Sequence, residues 1–131
     1  MAYVAFKDCT IRGVNVIDAW LGQHPDDVRA EFYSLLSQYE NIPLEDWRTY
    51  RRSRRGYKKL TGQLYGVLRE FYVDIEQHYR LAAFRGPGTG EMTLLSGWIH
   101  DSEQAQQAGL ELALERRDLV LRGVAGRIEH V

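Results

Sequence analysis

The spacing of hydrophobic residues predicts a short strand followed by two helices in the first part of the chain. Residues 3–9 alternate loosely between apolar and polar side chains, as in a strand. From Pro25 onward the apolar positions follow the helical period, and they are Val28, Phe32, Leu35, Leu36 and Tyr39. Asn41 and Pro43 end this helix and open a second one, which carries Trp47. We expect the two helices to form an antiparallel hairpin.

The hydrophobic period changes to two after Gly62, which predicts β-strands. One side of the first strand carries Tyr65, Val67, Arg69, Phe71, Val73 and Ile75. The other side carries Leu64, Leu68, Glu70, Tyr72 and Asp74. Two further strands follow at His78–Phe84 and Met92–Ile99, and the glycines and proline of residues 85–90 predict a hairpin loop between them.

A last helix is predicted to begin at Asp101, because Asp101 and Gln104 have the spacing of a capping box. Its buried stripe is expected to be Leu110, Ala113, Leu114 and Leu121. The element order is therefore β-α-α-β-β-β-α, and the fold class is α+β. We expect a small antiparallel β-meander sheet with the two N-terminal helices and the C-terminal helix packed on one face. The other face would then be free to carry a site.

The length of 131 residues fits one domain spanning residues 1–131. The hydrophobic fraction of 44% and the charged fraction of 27% are typical of a folded globular protein. No apolar run is long enough to cross a membrane, and Lys7 and Asp8 stand where a secretory signal needs apolar residues. The single cysteine, Cys9, suits a reducing compartment and is expected to be a small buried side chain. These features predict a cytoplasmic protein without a membrane partner.

The net charge of −1 hides a strong local asymmetry. Residues 1–47 carry −5, residues 60–131 carry −3, and residues 48–59 carry +7 without a single acid. We call residues 48–59 the basic segment. A field of one sign in so short a stretch favours an anionic partner, because like charges so close together repel each other.

Four segments follow a common pattern in order, and they are 58–65, 78–81, 94–98 and 115–117. They read Lys-Lys-Leu-Thr-Gly-Gln-Leu-Tyr, His-Tyr-Arg-Leu, Leu-Leu-Ser-Gly-Trp and Glu-Arg-Arg. In this pattern the chain resembles the phage-derived Gp49-like and HigB-like branch of the RelE/ParE toxin superfamily. The resemblance covers residues 25–122 and implies a RelE-like arrangement of the predicted elements.

The resemblance implies the toxin of a type II toxin–antitoxin system, a ribosome-dependent, metal-independent endoribonuclease (mRNA interferase) that inhibits translation. The implied partners are a cognate antitoxin of helix-turn-helix type, the ribosome and mRNA, and no cofactor is implied. Because the superfamily also includes gyrase poisons, a second hypothesis remains open. In it, a phage-encoded protein keeps the fold, has no enzymatic activity and binds a host protein.

RNA cleavage without a metal requires a proton acceptor, a proton donor and cations that stabilise the phosphate charge. By the Tyr-Arg motif, Arg80 takes the position of the family's strand arginine, and its planar cation suits that phosphate. The alternative is an ion pair between Arg80 and an acid on a neighbouring strand, Glu70 or Asp74. An Arg80 guanidinium held by carboxylates would remove the basis of the nuclease hypothesis.

Arg69 and His100 complete the predicted catalytic set. Relatives often place basic residues in the strand of Arg69, and the alternative is an arginine whose stem packs at the edge of the core. His100 can exchange a proton near neutral pH, and it stands where the family usually has Lys-Lys-Thr. Asp101 could hold the His100 ring or simply cap the helix. The scattered histidines predict no metal site.

The basic segment is predicted to dock on the phosphates of ribosomal RNA. The alternative is a solvated surface whose charges pair with the acidic N-terminal third of the chain. The candidate RNA-binding residues are Arg51, Arg52, Arg54, Arg55, Lys58, Lys59 and Arg85.

Overall fold

Seven strands form one mixed sheet in the computed structural model, which describes residues 2–50 and 52–130. The elements are, in chain order, β1 (Ala5–Ile11), β2 (Val14–Asn15), α1 (Val16–Leu21), α2 (Asp26–Glu40), a 3₁₀ helix (Leu44–Tyr50), β3 (Arg55–Lys59), β4 (Leu68–Ile75), β5 (Gln77–Arg85), β6 (Glu91–Ile99), α3 (Glu103–Leu121) and β7 (Gly126–Glu129). The α+β fold class is confirmed.

The strand order is β2-β1-β6-β5-β4-β3, and β7 also pairs with β1. The predicted antiparallel meander is present as β4, β5 and β6, and β3 adds a fourth antiparallel strand at the outer edge. β1 runs parallel to β6, so the sheet is mixed rather than wholly antiparallel, although β1 pairs antiparallel with both β2 and β7. Ala82 pairs with Ser96 and Ala83 with Leu94, which leaves Leu95 as an extra residue on β6.

Helices cover both faces of the sheet, so the prediction that all of them pack on one face is wrong. On one face α1, α2 and the 3₁₀ helix pack on a core that includes Phe71 and Leu81. On the other face α3 packs on Leu68, Ala82 and Phe84. The physical reason lies in β4 and β5, which carry apolar side chains on both sides and therefore need cover on both.

The predicted stripe of α2 is confirmed, because its buried residues are Val28, Phe32, Leu35, Leu36 and Tyr39. The second predicted helix is a 3₁₀ helix of seven residues. Its Trp47 is fully buried, packs against the Tyr39 ring at 4.8 Å between centroids and donates from Nε1 to the Ile42 carbonyl at 2.9 Å. These contacts of Trp47 fix the position of the backbone next to the first residue of the basic segment.

α3 begins two residues after the predicted start at Asp101. Ser102 is the N-cap, and its hydroxyl accepts a hydrogen bond from the Ala105 amide at 3.0 Å, so the helix begins at Glu103. Leu110 and Ala113 are buried as predicted. Near the C-terminal end Val120 is buried and Leu121 is exposed, which corrects the predicted stripe.

Candidate functional site

A cavity of about 480 Å³ opens on the α3 face of the sheet and brings several predicted site residues together. We call it the Arg80 cavity, and its lining residues are Arg52, Ser53, Lys58, Glu70, Tyr72, Asp74, Arg80 and His100. The strand register explains this arrangement. Tyr72 pairs with both Gly56 and Arg80, and Lys58 pairs with Glu70, so alternate residues of β3, β4 and β5 point into the same space.

Two carboxylates hold Arg80. Its Nε lies 3.1 Å from Oε1 of Glu70, and one terminal nitrogen lies 2.8 Å from Oδ1 of Asp74. The same nitrogen also donates to the Tyr79 carbonyl at 3.0 Å. The pairing is largely shielded from solvent, because 14% of the Arg80 side chain and 4% of the Glu70 side chain are exposed.

The aromatic ring of Tyr72 adds a third contact to Arg80. The guanidinium carbon lies 5.6 Å from the ring centroid, within the range of a cation–π interaction. The Tyr72 hydroxyl donates to the Arg52 carbonyl at 2.7 Å, which ties the ring to the turn before β3. A side chain at Gly56 would place its Cβ 2.6 Å from that hydroxyl, so the close approach requires glycine.

The geometry therefore confirms the ion pair that the sequence left open for Arg80, with both of the acids that were considered. Partial burial raises the pKa of Asp74, but hydrogen bonds from Arg80 and His78 outweigh it, and the pKa lies below its ordinary value. Asp74 is thus an anion at neutral pH and Arg80 has a permanent partner. The Arg80 Nε and one of its terminal nitrogens are therefore occupied by carboxylates in this structure.

His100 lines the same cavity, with 32% of its side chain exposed. Its Nε2 lies 3.8 Å from a carboxylate oxygen of Glu103, and no hydrogen bond joins its ring to Asp101 within the described chain. His78 lies nearby and contacts Oδ1 of Asp74 through Nδ1 at 3.0 Å. An imidazole lines the cavity, but the two carboxylates there, Glu70 and Asp74, are already paired with Arg80.

Arg69 lies on the opposite face of the sheet from Arg80. It alternates with Glu70 and Leu68, which face α3, and it shares its side with Phe71, whose ring lies in the α2 core. The predicted catalytic set is therefore divided between two faces. Arg80 and Arg69 cannot contact the same phosphate.

Most cations in the described part of the basic segment have no acid partner. Arg55 is the exception, because its guanidinium pairs with Glu31 at 2.9 Å and donates to Gln38 at 2.8 Å, which pins β3 to α2. Six other cations form no ion pair with any described residue, and they are Arg48, Arg52, Arg54, Lys58, Lys59 and Arg69. We call these six the basic edge, because they surround β3, the last strand of the sheet.

A second cavity, of about 650 Å³, lies on the α2 face between the 3₁₀ helix and the start of β4. We call it the Arg69 cavity. Its charged lining residues are Glu45, Arg48, Lys58, Lys59 and Arg69. Lys58 lines both cavities, which joins them around β3.

Two predicted RNA-binding residues lie apart from these cavities. Arg85 is exposed at the far end of β5, five residues and roughly 16 Å along the strand from Arg80. Arg51 lies outside the described residues. Arg48 and Tyr57, which line the Arg69 cavity, were not among the predicted site residues. For Arg48, the sequence signal was its place as the first residue of the basic segment.

The described residues contain no group of three or more His, Cys, Asp or Glu side chains placed to hold a metal ion. Cys9 is fully buried, as predicted, and burial raises the pKa of its thiol against the opposing charge of Arg116. Among the described helices, not one has the length and apolar character of a membrane span.

Comparison with protein-family models, with curated proteins and with solved structures gives no match to this chain. The candidate function therefore rests on the geometry and charges of the two cavities.

Proposed function

We propose that the protein is an RNA-binding inhibitor of translation that docks on ribosomal RNA through the basic edge and does not itself cut mRNA. The observation that carries the proposal is the set of six cations without an acid partner around a single edge strand. Five of the six are exposed, so their charge reaches solvent. Unpaired arginines and lysines in such density attract a phosphate backbone by releasing its condensed counterions.

A RelE/ParE-like toxin is the context that we propose for this activity. In support, the antiparallel β4-β5-β6 meander stands between the helical segments and α3, and β2, β3 and β7 are strands beyond the predicted order. In that context the partners are the ribosome and a cognate antitoxin of helix-turn-helix type. The paired state of Arg80 supports binding without cleavage, since the residue assigned to the phosphate charge is held by Glu70 and Asp74.

A ribosome-dependent endoribonuclease is the second candidate function. One observation favours it: Arg80 and His100 line one cavity together with Lys58 and Arg52. For this candidate a ribosome-bound RNA would have to displace two carboxylates from Arg80. That displacement costs binding energy, because a largely buried carboxylate such as Glu70 would lose its cation.

Two measurements test the proposal, one with purified protein and one in cells. The logarithm of the affinity for a ribosomal RNA fragment should fall linearly with the logarithm of the salt concentration, with a slope of about 0.7–0.9 per phosphate contacted. After induction in cells, growth should stop, and primer extension on mRNA should show no codon-associated cuts. Cuts that disappear in Arg80→Ala, with the variant still folded by circular dichroism, would establish the endoribonuclease instead. An affinity for RNA that is independent of salt would reject the docking surface.

A further inference from the structure

The Arg69 cavity contains three cations that converge on a space with little opposing charge. Lys59 and Arg69 are direct register partners on β3 and β4, so their Cβ atoms lie about 4.5–5.5 Å apart on the same face. Arg48 reaches the cavity from the last turn of the 3₁₀ helix. Like charges placed opposite each other across a strand pair destabilise a sheet unless an anion lies between them.

The acid that lines this cavity is already engaged elsewhere. Glu45 accepts a hydrogen bond from the Ala2 amide at 3.4 Å, and hydrogen bonds from backbone amides hold its pKa below the ordinary value. It forms no ion pair with a described cation of the cavity. Arg48, Lys59 and Arg69 therefore have no ion-pair partner in the described structure, and their three positive charges face the single negative charge of Glu45.

The inner wall of the cavity supplies hydrogen-bond donors. Arg69 Nε is buried and has no hydrogen-bond partner among the described residues. Beside it lies Tyr57, which is 6% exposed. Burial raises the pKa of the Tyr57 hydroxyl although Arg69 and Arg48 oppose this, so the hydroxyl keeps its proton at neutral pH. A buried donor without an acceptor is rare in proteins, and an oxyanion would satisfy it.

We propose that the Arg69 cavity binds one phosphodiester group of single-stranded RNA. The guanidinium, ammonium and phenol donors of the cavity can hydrogen-bond to the two non-bridging oxygens of a phosphodiester, and the remaining positive charge suits the neighbouring phosphates of the same strand, which a single carboxylate does not supply. The volume of about 650 Å³ holds a phosphate together with its ribose. Lys58 continues the positive surface around β3 toward the Arg80 cavity, which gives an extended strand a path beyond the one phosphate.

This inference rests on the proposed RNA binding and names the group of the RNA that the site takes. It also places the contact on the α2 face, away from Arg80 and His100. RNA bound in the Arg69 cavity would be positioned at the edge of the sheet, independently of any contact in the Arg80 cavity.

The test uses the full-length protein and a short single-stranded RNA with hydroxyl groups at both ends. The double variant Arg48→Met/Lys59→Met removes two exposed charges and keeps the apolar stems. We expect its affinity to fall about tenfold or more, and its salt slope to decrease by about 0.7 for each phosphate that it no longer neutralises. The control is Arg122→Met, an exposed cation that follows α3, which should bind RNA as the unmodified protein does.

A direct readout is the NMR resonance of the Arg69 Nε–H group, which should shift when RNA is added. If the unmodified protein binds RNA but this resonance and the salt slope of the double variant do not change, the cavity assignment is wrong and the proposed function stands. If the unmodified protein binds neither this RNA nor a ribosomal RNA fragment, the proposed function itself fails. A shift with inorganic phosphate or a nucleoside monophosphate, but not with RNA, would contradict the phosphodiester assignment.

Discussion

Two groups of cations lie on opposite faces of the same sheet, and their surroundings differ. On the α3 face, Arg80 is held between Glu70 and Asp74 and lies against the Tyr72 ring. On the α2 face, Arg69 and its neighbour Lys59 have no carboxylate within ion-pair distance in the described chain. The first group is internally neutralised, and the second is available to a partner.

A basic residue in a sequence therefore has no assignable function until its acid partners are known. Arg80 takes the position of a family's strand arginine in the Tyr-Arg motif, yet its charge is paired with two carboxylates of the same chain. Arg48 belongs to no motif, yet its charge is free. An ion pair that is already formed must be broken before either partner can bind a ligand, and that cost favours the unpaired cations.

The largest expected effect comes from breaking the paired side of this comparison. Glu70→Gln removes the better-buried partner of Arg80 and leaves Asp74 as its remaining acid. We expect the free energy of unfolding to fall by about 3 kcal/mol, because a largely buried guanidinium loses its main counter-charge. Urea denaturation followed by circular dichroism measures the change.

The matched control is Asp118→Asn, which breaks the pair between Asp118 of α3 and Arg122. Each of these side chains is 63% exposed, so the expected loss is about 0.5 kcal/mol or less. Equal losses in the two variants would mean that the Arg80 pairing contributes no more than a solvent-exposed one.

The second effect tests the unpaired cations of the basic edge, two of which, Arg52 and Lys58, also line the Arg80 cavity. The triple variant Arg52→Met/Arg54→Met/Lys58→Met should reduce affinity for ribosomal RNA roughly 50-fold at about 0.15 M salt and lower the salt slope by about 2. The control variant Arg12→Met/Arg122→Met/Arg127→Met removes the same charge from exposed positions outside the basic edge. If both triple variants lose affinity equally, net charge rather than the basic edge governs binding.

The third effect is a pH dependence of the paired side. The folded pKa of Asp74 lies below its ordinary value of 3.8, so its contribution to stability is present above that pH and is lost as the pH falls through the folded pKa. Asp74→Asn should therefore lower the free energy of unfolding by about 1 kcal/mol at pH 7. The difference between the two proteins should shrink below about pH 4, as urea titrations at several pH values will show. A difference that is constant across this range would contradict the assigned ion pair.

Local patterns in the sequence predicted the parts of this structure that depend on neighbours along the chain. The α2 stripe, the β5–β6 hairpin and the alternation of β4 were correct because each follows from a short-range period. That alternation also placed Glu70, Tyr72 and Asp74 together, and so identified both acids that hold Arg80.

The remaining features depend on contacts between distant segments. The parallel pairing of β1 with β6 and the short strands β2, β3 and β7 carry weak periodic signals. α1 has six residues, too few to show a helical period in the sequence. Its start is nevertheless capped by Asn15, whose side chain accepts hydrogen bonds from the amides of Ile17 and Asp18 at 3.1 and 2.9 Å. The division of Arg69 and Arg80 between two faces follows from alternation, but the cover on both faces became visible only with the helices in place.

The smallest effect compares two adjacent lysines on β3, whose cross-strand partners carry opposite charges. Lys59 pairs in register with Arg69, whereas Lys58 pairs with Glu70. Lys59→Gln should therefore raise the free energy of unfolding by about 0.3 kcal/mol at low salt, and Lys58→Gln should lower it by a similar amount. Both changes should vanish near 1 M salt, where the screening length is about 3 Å. Changes of the same sign would show that register neighbours do not set the local field, and the contrast between the two faces of the sheet would then lose its electrostatic basis.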